Sequence, residues 1–115
     1  MIKDIIKLIP FLSKQDLVTV ANEILEGKII NVDMVVIYPF LQRSDLEELV
    51  DKLIEKNESE LISKAIPFIS KEKVLEVYNA ANAGKLNDFD ISVCIPFLDK
   101  DQVMRIFMDL TKSNE

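Results

Sequence analysis

Three aspartates, Asp4, Asp33 and Asp90, stand six residues ahead of three of the four prolines, Pro10, Pro39 and Pro96. Carboxylates repeated in one register could hold a cation or pass a proton, but Leu61 fills the fourth place and interrupts the series. An aspartate at that position also satisfies free backbone amides at a helix start and favours the helix dipole, and this structural role is the reading adopted. A second series, Asn22, Asp51 and Asn79, with Asn82 one turn beyond, could hydrogen-bond a partner peptide along a concave surface or form an ordinary solvated face. The one cysteine, Cys94, shares a column with Leu8, Ile37 and Ala65. A reactive thiol wants a cationic, partly exposed setting, and with no histidine in the chain to activate it Cys94 reads as a buried structural residue.

Composition narrows the classes further. Fourteen basic against twenty acidic residues give a net charge of -6, which opposes approach to nucleic acid or an anionic membrane. Two glycines leave no glycine-rich phosphate loop, and the absence of histidine removes the commonest general base and metal ligand. One cysteine allows no internal disulfide and no zinc cluster. No apolar run approaches the roughly 18 residues that span a bilayer, and Asp4 interrupts the apolar start. The expectation is a cytoplasmic, non-enzymatic protein with no cofactor, no metal, no nucleic-acid partner and no membrane partner.

The elements that position these residues follow from a repeated phrase. Ile9-Pro10-Phe11-Leu12, Tyr38-Pro39-Phe40-Leu41, Ile66-Pro67-Phe68-Ile69 and Ile95-Pro96-Phe97-Leu98 use every proline in the chain, at intervals of 29, 28 and 29 residues. Apolar residues ahead of each proline recur at helical spacing, as in Ile5, Leu8 and Ile9, and predict a short helix of about eight to ten residues. Proline lacks an amide hydrogen and pushes its predecessor out of the helical region, so that helix ends or kinks at the phrase. Ser13, Ser70 and Asp99 then offer N-caps to a second helix, Asp99 with Gln102 in capping-box form. In the second unit Gln42 is a poor cap and Ser44 is its candidate substitute. Each second helix carries an apolar stripe, such as Leu46, Leu49, Val50 and Leu53. Gly27 and Gly84 fall at left-handed C-terminal caps, with Lys56-Asn57 in that place in the second unit. The fold expected is all-α: one domain over residues 1–115, with units of about 1–28, 29–57, 58–85 and 86–115, stacked as four helix-turn-helix repeats in an α-solenoid or superhelical array.

On these residues the chain resembles HEAT-like and related two-helix α-solenoid repeat proteins, and its Pro-Phe-Leu phrase is similar to short helical repeats of uncharacterised bacterial proteins. The resemblance implies units that bury their apolar faces on their neighbours.

Terminal units of such an array need a polar outer face. Lys3, Asp4 and Lys7 are expected to provide one at the start of the chain. In the last helix Asp101, Arg105, Asp109 and Lys112 make a charged stripe, flanked by Met104 and Met108, with Val103, Ile106, Phe107 and Leu110 opposite. One neighbour cannot cover that much apolar surface. Met104 and Met108 therefore either pack inward on the short helix before Pro96 or mark a protein-binding or homodimer contact. The functional expectation is a protein-interaction or assembly module, with self-association through its last helix as the simplest version. The alternative is a small-ligand or regulatory domain with a pocket near Tyr78, where small residues (Ala80, Ala81, Ala83) leave room.

Overall fold

The computed structural model describes residues 2–113, and among them every regular element is helical. The α-helices are α1 (Ile2–Leu8), α2 (Lys14–Leu25), α3 (Arg43–Glu55), α4 (Ser59–Ala65), α5 (Lys71–Asn82) and α6 (Lys100–Ser113). Short 3-10 segments join them at Ile9–Phe11, Met34–Phe40, Ile66–Phe68, Ile91–Val93 and Ile95–Phe97. The molecule measures 55 × 24 × 20 Å along its principal axes.

The four proline phrases share one conformation. In each, the residue after phenylalanine is extended and its amide returns to the carbonyl three residues earlier: Leu12 to Ile9, Leu41 to Tyr38, Ile69 to Ile66, Leu98 to Ile95. Proline causes this, since its fixed φ suits the first positions of a helical turn while its missing N–H forbids a continued α-helical ladder. The chain therefore tightens into a 3-10 turn and then swings into the next helix.

The segments ahead of the prolines are not alike, and here the expected short helix is corrected. In the first and third units it is α-helical, seven residues in each of α1 and α4. In the second and fourth it is 3-10 throughout, at Met34–Phe40 and around Ile91. In these two units the aspartate is the N-cap at which the segment starts, whereas Asp4, in the same register, lies inside α1, which begins at Ile2. Asp33 and Asp90 each accept, through Oδ1, from the amide two residues on, Val35 and Ser92, at 3.0 Å. A turn so begun has too few residues before the proline to close α-helical bonds, and the β-branched pair Val35-Val36 favours none. These carboxylates are caps, and Ser92 holds Asp90 below the ordinary carboxylate pKa through hydrogen bonds from its hydroxyl and its amide.

The second helices start and stop as their sequences prescribe. Ser13 accepts from the Asp16 amide and Ser70 from the Lys73 amide, and Asp99 and Gln102 exchange hydrogen bonds of 2.9 and 2.8 Å in a complete capping box. Gln42 occupies the N-cap of α3 and makes no side-chain capping bond; Ser44 lies inside the helix and does not replace it. Replacing Gln42 with serine is thus expected to raise stability by about 0.5–1 kcal/mol, and Ser13→Ala to lower it by about 1 kcal/mol. Both changes are read as shifts of the denaturant midpoint at constant m-value.

At the other ends α2, α3 and α5 close in the same Schellman motif, with Gly27, Asn57 and Gly84 at φ of 82°, 59° and 84°. The amides of Lys28, Glu58 and Lys85 reach back to the carbonyls of Glu23, Leu53 and Ala80.

Two apolar clusters hold the structure. Ile9, Leu17 and Ile37 form one, with Phe40 and Leu41 packed against it, and so join α2 to the Met34–Phe40 segment. The larger unites Tyr38, Leu46, Val50, Leu53, Ile62, Ile66, Val74, Val77, Tyr78 and Cys94. Helix α3 lies centrally and packs on α2, α4 and α5.

Candidate functional site

Asn22 lies at one surface cleft, and Asp51 and Asn79 lie at another. Asn22 accepts from the Lys52 ammonium at 2.9 Å, beside a cleft of about 20 Å³. A void of that size holds no more than a water. Asp51 and Asn79 do line a common groove between α3 and α5, together with Glu55, Glu76 and Lys85. Asp51 is already engaged, pairing with the Lys73 ammonium at 2.5 Å. Asn82 ends α5 and is exposed outside that groove.

Lys73 is the residue that the sequence reading passed over. It is 7% exposed, the one buried charged residue among those described, and Glu76 completes its ion pairs at 3.3 Å. Burial pulls the pKa of its ammonium down, but the hydrogen bonds and negative charges of Asp51 and Glu76 outweigh that cost, and the net direction is upward. A signal was present: Lys73 stands where the other units carry Asp16, Asp45 and Gln102.

Beside Tyr78, the small residues Ala80 and Ala83 line the same open groove as Asn79. Tyr78 is buried in the main cluster, while Asn79, Asn82 and Ala83 face outward. Cys94 is fully buried, and desolvation, assisted by the charge of Asp90, pushes its thiol up to about 11, which disarms it as a nucleophile. Among the described residues no group of three acidic, histidine or cysteine side chains is placed to hold a metal ion, and no helix is long and apolar enough to cross a membrane.

The clearest surface feature is on α6. Met104 and Phe107 are each 59% exposed and Met108 46%, so the inward packing entertained for the two methionines does not occur. Leu98, Lys100, Val103, Met104 and Phe107 line an open, mainly apolar depression. The helix anchors itself through buried Ile106 and through Val103, which packs partly buried on the main cluster, while Met104, Phe107, Met108 and Leu110 are exposed.

The opposite end departs from the expected polar cap. Asp4 and Lys7 are exposed as anticipated, and the Lys3 side chain lies outside the described residues. Leu8 and Phe11 are exposed there too, at 61% and 87%. Leu8 has the helical spacing of a core position. The molecule thus presents exposed apolar side chains near both ends of its described residues. Neither a family model, nor a curated protein, nor a solved structure matches this chain.

Proposed function

We propose that this chain is a non-enzymatic protein-interaction or assembly module, built as four helix-turn-helix repeats stacked in an α-solenoid or superhelical array, and that it docks through the apolar face of α6. The observation that carries the reading is the exposure of Phe107. Its counterparts at the same distance from the proline, Ala21, Val50 and Tyr78, are all buried. The column that each earlier unit covers is open in the last one. Methionines at the edge of such a patch adapt their shape to a partner at little cost, and adjacent exposed apolar residues of this kind mark protein contacts.

The repeat reading draws support from four identical proline turns, three identical Schellman caps and the packing of α3 on the helices of the units before and after it. The resemblance to HEAT-like proteins belongs to the same proposal.

The test is light scattering on size-exclusion fractions across a wide concentration range, comparing the wild type with the Met104→Lys, Met108→Lys double variant. The wild type is expected to gain mass with concentration and the variant to stay monomeric with unchanged helicity. Identical masses at every concentration, with both proteins folded, would remove α6 as an assembly surface.

A further inference from the structure

We infer that the partner of the α6 face is the opposite end of a second copy of this chain, so that copies join head to tail with the Leu8 and Phe11 end of one seated on the α6 end of the next. The inference rests on the stacked-repeat reading and adds the identity and orientation of the occupant.

Its basis is the register of the repeats. Leu8 stands two residues before its proline, as do Ile37, Ala65 and Cys94, and those three have no exposed surface at all. Ile37 shows what buries them: it packs in one cluster with Ile9 and Leu17 of the preceding unit. Leu8 is the one exposed member of its column, and Phe107 is the one exposed member of its own. Across the first junction Val18 and Ala21 share a cleft with Leu41, Asp45 and Leu49 of the next unit; Met104 and Phe107 occupy the registers of Val18 and Ala21. The registers of Leu41, Asp45 and Leu49 are held in the first unit by Leu12, Asp16 and Val20, next to the exposed Leu8 and Phe11, so the two surfaces correspond to the two sides of a junction that the molecule already makes internally.

A polar detail points the same way. At the first junction the Lys14 ammonium donates to the Phe40 carbonyl at 2.8 Å. Lys100 occupies the register of Lys14 beside the α6 depression, and Phe11 occupies the register of Phe40 at the far end. A second copy docked in the repeat register brings the Phe11 carbonyl to the Lys100 ammonium and lays the exposed Phe11 ring against apolar surface. A two-fold contact of α6 with α6 would leave Leu8 and Phe11 uncovered. On the stacked reading the end is 24 by 20 Å across; a contact of roughly 500 Å² a side falls short of the ~800 Å² of a standard stable interface, so association is weak and concentration-dependent.

A head-to-tail junction uses different surfaces on its two sides, and mixing exploits this. Leu8→Glu blocks one side and Phe107→Glu the other; both residues are more than half exposed, so both variants should fold, with Phe11→Glu and Met104→Glu as replacements if circular dichroism shows either unfolded. A carboxylate at such an apolar seam is expected to weaken association by about 100-fold, since each 1.4 kcal/mol is tenfold. Each variant alone should remain monomeric by light scattering at concentrations where the wild type associates. Their equimolar mixture should form a 1:1 dimer and stop there, because only one competent pair of ends exists. Association of Leu8→Glu at wild-type strength, with Phe107→Glu monomeric, would overturn the head-to-tail arrangement while leaving α6 as an assembly surface. A wild type that stays monomeric throughout would overturn self-association itself.

Discussion

Replacing Tyr38 with alanine should lower the unfolding free energy by about 3–5 kcal/mol, the range for deleting a large aromatic from a packed core. Tyr38 is buried, its ring meets Phe68 edge-on at 6.4 Å between centroids, and its hydroxyl donates to the Leu61 carbonyl at 2.8 Å. One side chain therefore ties the Met34–Phe40 segment to α4 and to the proline turn after it. Tyr38→Phe separates the contributions: it keeps the ring and should cost only about 1 kcal/mol, the net worth of one hydrogen bond. Desolvation, with a smaller push from Asp33, raises the phenol pKa above its ordinary value of 10.0. The folded state thus holds this proton more tightly than the unfolded chain does, and the associated stability is complete below pH 10 and lost as pH climbs toward the folded value. Denaturant titrations at pH 8 and at pH 11 should show a steeper alkaline loss for wild type than for Tyr38→Phe. Equal losses, or an alanine variant within 1 kcal/mol of wild type, would place the weight of the junction elsewhere.

The parts of the fold legible in the sequence are those decided within a few residues. Ser13, Ser70 and the Asp99–Gln102 pair cap helices because their oxygens sit within reach of amides three residues on, and no tertiary contact is needed to arrange that. Gly27, Gly84 and Asn57 end helices because few other residues tolerate positive φ. The character of the segments before the prolines was less legible. Ile5, Leu8 and Ile9 have the same apolar spacing as Ile91, Cys94 and Ile95, yet one run is α-helical and the other 3-10. The deciding difference is where the segment starts: Asp90 caps its segment, whereas Asp4 lies inside α1, which begins ahead of it, and nucleating a helix over about seven residues is costly.

Exposure was the least legible property, because periodicity reports which face a residue shares and not whether anything covers it. Leu8 and Cys94 occupy one column; the first is mostly exposed and the second not at all. Cys94 is enclosed by the main apolar cluster, and Leu8 lies outside both clusters. Asn22, Asp51 and Asn79 share one register, yet Lys52 claims the first and Lys73 the second, through contacts between residues 30 and 22 positions apart. Those partners could be found only by asking what each cation faces across a junction.

Lys73 supplies the second large effect. Removing both of its partners, by Asp51→Ala together with Glu76→Ala, should cost about 2 kcal/mol, because it leaves a buried ammonium without acceptors. The figure is set by that orphaned charge and not by Coulomb attraction, since both carboxylates are more than half exposed and well screened. Adding Lys73→Met to the double variant should recover most of the loss, as the thioether fills the same channel and needs no partner. A triple variant as unstable as the double would mean that the carboxylates act through the helices and not through Lys73. The pH dependence has a fixed sign. The ammonium pKa is raised above 10.5 in the fold, so its contribution is complete below that value and disappears as pH rises through the folded pKa. Wild type should therefore lose its advantage over the double variant only at strongly alkaline pH. The ion pair spans α3 and α5, and its orientation gives it a further role: Asp51 and Glu76 can approach one ammonium only if the second and third units keep their observed offset. A buried pair of this geometry adds less to stability than an apolar trio of equal volume would, while opposing any slip of one helix past the other. Hydrogen exchange should show this, with faster exchange of α5 amides in the triple variant than in wild type even where their denaturant midpoints coincide.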